Sequence, residues 1–556
     1  MKHRKWISIA ASGAMVLSLL AACSKGESTG GEATVVKSAD GKEMLGNMYT
    51  TGLPIVKDKV TLKMIGIMTA GSANFADMPF FKQLEEKTNV HIEWENYPEV
   101  GYGDRKNLLL AANELPDAFF GMSAFSMEDA NKFGPKGTVI PLDALIDKYA
   151  PNYKEALKKM PLMDGLSTAF DGKKYTMGTV IEQEVRSYPD NLYINKKWLD
   201  KLGLQPPTTI DEYYNVLKAF KDGDPNGNGK KDEIPFTFTK WNHITGYGSL
   251  FGAYGMVDVH NGSGSNPSYD HFIVDNGKVM FTADKPEYKE AVKGLSRFFK
   301  DGLFDKEGFT QDQNQFNAKM KDPVGVVGSF YAWSATAAAP QTKDDYIALA
   351  PLKGPGGKEP VVKKRNNHIN VMGSGFAISS TNKHPEITMR WVDEFYKQLT
   401  SIEAQWGPVG TGLIDKGNGT YDFNKEAPQG VSYLDMFKKY SPVDNAPKFL
   451  PKEFFGKVVP VNEADKEKQD VINKYYSSAK KNETLPQMNY TGDEVKLITS
   501  IGMDITNYVK DRQTAWLLNG GIDEGWNDYL AKLKQLKAEE YMKTIQTAYE
   551  RNAGKK

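Results

Sequence analysis

Between residues 60 and 95 the apolar residues change their period twice, and that change restricts the folds open to the chain more than any other stretch. Val60-Thr61-Leu62-Lys63-Met64 alternates apolar with polar and then runs into Ile65-Gly66-Ile67, as a strand entering a buried sheet does. Residues 80–88 follow with helical spacing, and residues 89–95 alternate again. Strand, helix and strand at this spacing predict a right-handed crossover within a mostly parallel sheet. The pattern recurs: residues 105–112 read as a helix, 117–120 as a short buried strand, 191–195 as a strand and 196–202 as a helix. Thr209 is placed to cap a helix, with Glu212 three residues on as its reciprocal partner. Later, 375–379 reads as a strand, 384–396 as a helix, and 495–553 as almost wholly helical. No fixed-period repeat is present. The class is α/β, and a chain of 556 residues should form more than one lobe.

The first residues belong to no fold element. Lys2, Arg4 and Lys5 precede an uncharged, largely apolar stretch from Trp6 to Ala22, which ends Leu20-Ala21-Ala22-Cys23. Basic, then apolar, then small is the order of a secretory signal, so residues 1–22 are expected to be removed. The apolar stretch also falls short of the roughly 20 residues a spanning helix wants. Its end resembles a lipobox, which implies an acyl-modified Cys23 on the outer face of a membrane. Cys23 is the only cysteine in the chain, so no internal disulfide competes for it. Two or more acyl chains anchor stably where one does not. Ser24 to Thr34 is polar, small and Gly-rich, and residues 23–58 are expected to tether the lipid to the folded body.

Charge excludes one class of partner. Losing the leader removes three of the 70 basic residues and none of the 70 acids, which leaves a formal charge of −3. So small an imbalance gives no electrostatic reason to expect nucleic acid.

The sharpest local signal is Asp222-Gly223-Asp224-Pro225-Asn226-Gly227-Asn228-Gly229-Lys230-Lys231-Asp232-Glu233. Calcium takes oxygen ligands that a tight loop can supply from alternate residues. A register starting at Asp222 satisfies the EF-hand pattern but puts the Lys230 cation at its ninth position. A register starting at Asp224 uses Asp224, Asn226, Asn228, the Lys230 carbonyl, Asp232 and Glu233, and is preferred because Asp232 then stands ninth. Without metal the same composition would make a solvated turn. The site expected is structural, binding Ca2+.

Around this loop the chain resembles the family 1 extracellular solute-binding proteins, above all the large lipoproteins of oligosaccharide ABC importers, such as the alginate-binding and LplA-type lipoproteins. The resemblance rests on residues 192–204 (LYINKKWLDKLGL), on 207–214 (PTTIDEYY with its leading proline), on the loop itself and on Ile234-Pro235. It extends to Glu114-Leu115-Pro116-Asp117, to residues 384–393 (HPEITMRWVD) and to Gly525-Trp526-Asn527-Asp528-Tyr529. It implies a two-lobed periplasmic-binding-protein-like fold of type II, with discontinuous lobes, a hinge and an interlobe cleft. The N-terminal lobe would take residues 59–188 and about 370–430, and the C-terminal lobe 189–369 and about 431–556. It also implies calcium in the second register of the loop. The function implied is non-catalytic: a monomer captures an oligosaccharide outside the cell and passes it to an ABC permease. Where LplA-like members often carry a Gly-Ile-Glu-Gly type segment, this chain reads Gln405-Trp406-Gly407-Pro408-Val409-Gly410-Thr411-Gly412.

Sugars present apolar C–H faces and many hydroxyls, so their clefts pair flat aromatics with a few placed polar groups. Aromatics in Gly-rich, loop-like contexts are the better candidates, and Trp241, Tyr331, Trp333 and Trp406 meet that description. Trp198, Trp391 and Trp526 lie in helical patterns and are expected in cores. The basic run Lys363-Lys364-Arg365-Asn366-Asn367-His368 could meet an acidic sugar, but a solvated loop is the reading preferred. A secreted glycosidase or lyase would need a carboxylate pair or a His/Tyr/Arg set in one cleft, and no local setting marks one. The seven histidines show no metal-ligand spacing. A calcium-dependent adhesin would leave the strand–helix alternation unexplained.

Overall fold

The computed structural model describes residues 35–38, 41–99, 101–121, 124–239, 247–259, 270–365, 371–426, 433–486 and 488–553. The expected crossover is present. Strands Val60–Met68 and Val90–Pro98 pair in parallel from Val60 opposite Val90 to Met68 opposite Pro98, with helix Pro79–Thr88 between them. Pro79 opens the helix with a preset φ, and Asn89 closes it in the left-handed conformation. Phe80, Phe81 and Leu84 form its buried face. Phe81 meets Trp94 at a centroid distance of 4.7 Å, and Trp94 meets Phe120 at 5.2 Å.

This crossover is one edge of a six-stranded sheet ordered Phe449–Leu450, Met177–Ile181, Val371–Ile378, Ala118–Phe120, Val60–Met68, Val90–Pro98. Strand Val371–Ile378 runs antiparallel to both neighbours, so the sheet is mixed. The returning segment supplies that strand and helix Pro385–Asp393, whose Trp391 is buried against Phe395 as its helical spacing predicts. The return also contributes Phe449–Leu450, parallel to Met177–Ile181, and so extends past the 370–430 expected from the sequence.

A second core gathers residues from Leu192 to Leu352 and from Leu485 to Ala548. Strand Asn191–Asn195 lies between Ser329–Ala332 and Tyr346–Ala348, antiparallel to both. Asn195 then caps helix Lys196–Lys201 by accepting from the Trp198 amide at 3.0 Å, and Trp198 packs into Phe220. Thr209 and Glu212 form the expected reciprocal cap on helix Ile210–Asp222: Thr209 Oγ1 accepts from Glu212 N at 3.1 Å, and the Glu212 carboxylate accepts from Thr209 N at 3.2 Å. A four-stranded sheet joins Lys278–Phe281, Phe272–Asp275, Lys480–Thr484 and Val361–Lys364. Helices Met503–Asn519, Ile522–Gln535 and Ala538–Ala553 close this core around Trp516, Trp526 and Tyr529.

The chain passes between the two cores three times: from Met177–Ile181 to Asn191–Asn195, from Val361–Lys364 back to Val371–Ile378, and from Phe449–Leu450 to Lys480–Thr484. No helix among the described residues is long and apolar enough to cross a membrane.

Candidate functional site

Two of the crossing segments carry a buried polar network. On the first crossing, 3₁₀ turn Glu184–Ser187 holds Arg186; on the third, Asn462 caps helix Glu463–Val471, which holds Asp465 and Lys468. Trp333 Nε1 donates to Asp465 Oδ1 at 2.8 Å, while Asp465 Oδ2 accepts from Gln183 Nε2 at 3.0 Å and Asn462 Nδ2 at 2.8 Å. Gln183 Oε1 accepts from Arg186 Nε at 3.3 Å, and Arg186 Nη2 donates to Asp444 Oδ1 at 2.8 Å. Gln405 Nε2 reaches the same Asp444 oxygen at 3.0 Å, and Lys448 Nζ donates to Gln405 Oε1 at 2.7 Å and to the Val443 carbonyl. One continuous chain of hydrogen bonds therefore joins Trp333, packed against the small cluster of Val185, Tyr188, Val471 and Ile472, to Lys448 beside the first core.

Its position follows from the sheet. Asn445 Nδ2 donates to the carbonyl of Ile67, at the carboxyl end of Val60–Met68, at 2.9 Å. Gly121, just past Ala118–Phe120, has φ +109°, and a Cβ there would lie 2.9 Å from the Asn445 carbonyl oxygen. Asp444 is thereby held beyond the carboxyl ends of parallel strands, where open α/β sheets place their ligands.

The charges in this region perturb one another. Removal from water opposes ionisation of Asp444, but Arg186 and Lys448 outweigh it and hold the carboxyl below its ordinary range. Burial pushes the Lys448 ammonium down to about 7, with Asp444 pulling the other way. Beneath Trp333, Lys468 donates to the Pro189 carbonyl at 2.9 Å and to Asp190 Oδ1 at 3.4 Å. Burial drives Lys468 down to about 8 and Asp190 up to about 6, each opposed by the other's charge. The Lys468 ammonium stands 3.8 Å from the Trp333 ring centroid, a cation–π contact in a dry setting.

Among the described aromatics expected to face a ligand, Trp333 is the one that joins this assembly. Strand Ser329–Ala332 ends one residue before it and Ser334 caps the next helix, so the chain turns and leaves the ring half-buried. Tyr331 does not join the assembly: its register sets it opposite Leu192 in the second core and it is 5% exposed, although its ring also borders a cavity lined by Leu192, Val361, Lys363 and Tyr476. Trp406 does not join it either. It is the last residue of helix Gln398–Trp406, 4% exposed, and is packed by Phe423 and Phe455 with centroids at 5.6 and 6.0 Å. Its neighbour Gln405 is the residue of that segment that enters the network. Trp241 and Cys23 lie outside the described residues. The basic run is not a solvated loop where it is described, since Lys363 is buried in strand Val361–Lys364; Asn366, Asn367 and His368 lie outside the described residues. Gln183, Arg186, Asp444 and Asp465 carry no local sequence signal.

The second assembly is the loop after helix Ile210–Asp222. Asp224 Oδ1 accepts from the amides of Gly227 and Asn228 at 2.8 and 3.1 Å, and its Oδ2 from Gly229 at 3.0 Å. The side-chain amides of Asn226 and Asn228 both meet Asp232, with Nδ2 to Oδ1 distances of 3.0 and 3.2 Å. Asp222 ends the helix, and the side-chain bonds of the loop run among Asp224, Asn226, Asn228 and Asp232 and the loop amides. Both Glu233 carboxylate oxygens are buried with no hydrogen-bond partner, and burial pushes that carboxyl up. No group of three or more His, Cys, Asp or Glu side chains among the described residues is gathered as a metal set. Any cation here would rely on asparagine and backbone oxygens beside the carboxylates.

The model of the family described as bacterial extracellular solute-binding protein matches residues 70–406. The fructooligosaccharide ABC transporter substrate-binding protein FusA of Streptococcus pneumoniae is 33% identical over 89% of this chain and 91% of its own length. Its structure in complex with kestose superposes with a TM-score of 0.81 over 89% of this chain and all of that one, at 32% identity. An EF-hand mutant of FusA with fructo-nystose gives the same TM-score. Lipoprotein LipO of Bacillus subtilis is 24% identical over 88% of this chain and 93% of its own. The alginate-binding protein AlgQ2, solved without calcium ion, shares the fold at a TM-score of 0.71 and 22% identity, over 90% of this chain and all of that one.

Proposed function

The chain belongs to the bacterial extracellular solute-binding protein family, and from that premise we propose that it captures an oligosaccharide and delivers it to the permease of an ABC importer. It is a binding protein, not an enzyme. The observation that carries the sugar is Trp333. Its indole N–H is held by Asp465, Lys468 stands against its ring, and a line of amide and charged side chains continues from it to Asp444. A flat aromatic beside polar groups in fixed order suits a ligand with apolar faces and hydroxyl edges. FusA points to fructooligosaccharides as the first class to try.

The two cores are read as two lobes that close on the ligand by hinge motion about the three crossings. The N-terminal lobe takes residues from about 41 to 188, because Met48, Ile55 and Val56 of the stretch expected as tether pack into its core, with a return from about 370 to about 460; the C-terminal lobe takes the rest of the folded body.

The loop at 224–233 is read as a structural calcium site held by Asp224, Asn226, Asn228, the Lys230 carbonyl, Asp232 and Glu233. The unpartnered, buried Glu233 carboxylate supports this, because burying an unpaired carboxylate is costly. The side-chain oxygens of Asn226 and Asn228 accept from the Asn228 and Lys230 amides at 3.0 and 2.7 Å, and each keeps a second lone pair for a cation. A hard cation bound there would supply the positive charge that those oxygens and Glu233 share. Cys23 is read as the acylated residue that keeps the receptor, a monomer, near its permease at high effective concentration.

Thermal unfolding of residues 24–556 with kestose, nystose, a galacturonan fragment and a chitooligosaccharide tests the sugar reading. A raised midpoint with kestose or nystose and no released sugar is the expected result. Released product, or no shift with any oligosaccharide, overturns it.

A further inference from the structure

We infer that Asp444 and Arg186 together read a vicinal diol of a neutral sugar, and that this pair sets the site against acidic oligosaccharides. The inference rests on the oligosaccharide reading above and says which chemistry the site accepts.

One oxygen of Asp444 is fully engaged. Oδ1 takes Arg186 Nη2 at 2.8 Å and Gln405 Nε2 at 3.0 Å. The Gln405 amide cannot be reversed without loss, because its own oxygen receives the Lys448 ammonium at 2.7 Å. The carboxylate plane is therefore fixed from one side, and the backbone beneath is fixed by Asn445 on Ile67. The other oxygen, Oδ2, takes no hydrogen bond, and the Asp444 side chain is 39% exposed while Arg186 is 18% exposed. Arg186 spends Nη2 on Asp444 and Nε on Gln183, which leaves Nη1. A charge-assisted acceptor and a charge-assisted donor thus stand side by side at the exposed edge of a buried network, both immobilised before any ligand arrives.

Adjacent hydroxyls match that pair: one donates to Asp444 Oδ2 while its neighbour accepts from Arg186 Nη1. A ligand carboxylate would gain from Arg186 but meet the ionised Asp444, which its surroundings keep charged. A ligand ammonium would meet the reverse conflict. Neutral sugar avoids both, and the immobilised pair loses little entropy on binding it.

The test is calorimetric titration of the mature chain, residues 24–556, with nystose and with trigalacturonate. The unaltered chain should bind nystose and not trigalacturonate. Asp444→Asn keeps the shape and the bond to Arg186 but weakens the acceptor, and should lower nystose affinity about 30-fold, the scale of one charge-assisted hydrogen bond. Arg186→Lys keeps the charge but loses the fork and should lower it by about 10-fold or more. Sugar-free unfolding midpoints of both variants identify any that fail to fold, and one correctly folded variant suffices. Nystose binding within threefold of the unaltered chain in every correctly folded variant overturns the inference and leaves the oligosaccharide reading standing. Tighter binding of trigalacturonate than of nystose also overturns it. Binding of no oligosaccharide by the unaltered chain overturns both.

Discussion

The loop at 224–233 and the network on the crossing segments use the same side chains, carboxylates and amides, yet they neutralise charge in opposite ways. In the loop, Glu233 is buried with both oxygens unpartnered. In the network, Asp465 receives three donors and Asp444 two. On the calcium reading proposed above, the loop takes its counter-charge from an outside cation, whereas the network balances itself and keeps only its exposed edge for a ligand. The loop is also contiguous in sequence, while the network joins segments hundreds of residues apart, such as Gln183 and Asp465.

The difference predicts how each fails. Lys468→Met leaves Asp190 buried without its ion-pair partner, and should remove about 3 kcal/mol or more of unfolding free energy in urea at neutral pH. The loop should respond to solution instead of to a partner residue. Calcium at about 100 times its dissociation constant should add about 2.7 kcal/mol over a chelated sample, and Asp224→Ala should abolish that increment. An equal response to magnesium and calcium would contradict a site of this oxygen-rich, irregular kind.

A smaller effect separates the two by pH. Burial pushes the Asp190 carboxyl up to about 6 from an ordinary 3.8. Between those values the native chain holds a proton that the unfolded chain has lost. Stability from that proton is full below the lower value and is lost as pH rises toward the upper one. The stability of the unaltered chain relative to Asp190→Asn should therefore grow as pH falls from about 6 to about 4, by on the order of 1 kcal/mol per pH unit. The smallest effect is local. Thr209→Ala removes the cap of the helix that leads into the loop, and should cost about 1 kcal/mol without altering sugar affinity.

Elements whose determinants lie close in sequence were legible. The crossover over residues 60–98, the Thr209–Glu212 cap, and the buried Trp198, Trp391 and Trp526 all follow from local spacing. What was not legible depends on where distant segments pack. Val371–Ile378 runs antiparallel because the chain re-enters the sheet from the other core, which no periodicity records. The Gly-rich context that marks Tyr331 as a loop candidate belongs to strand Ser329–Ala332, whose alternation turns Tyr331 into the core. Trp406 was read as opening a loop because Gly407-Pro408 follows. The helix runs up to Gly407, and Phe423 and Phe455 arrive from later segments to cover the indole. Arg186 and Asp444 are ordinary charged residues until the fold sets them 2.8 Å apart.

The most direct test of sugar capture between the two cores is titration of nystose into residues 24–556 beside the Trp333→Ala variant. Saturable one-to-one binding by the unaltered chain, weakened at least about 10-fold in the variant by loss of a stacking surface, is the predicted result. Undiminished binding by a folded Trp333→Ala chain would place the sugar elsewhere and contradict the site described.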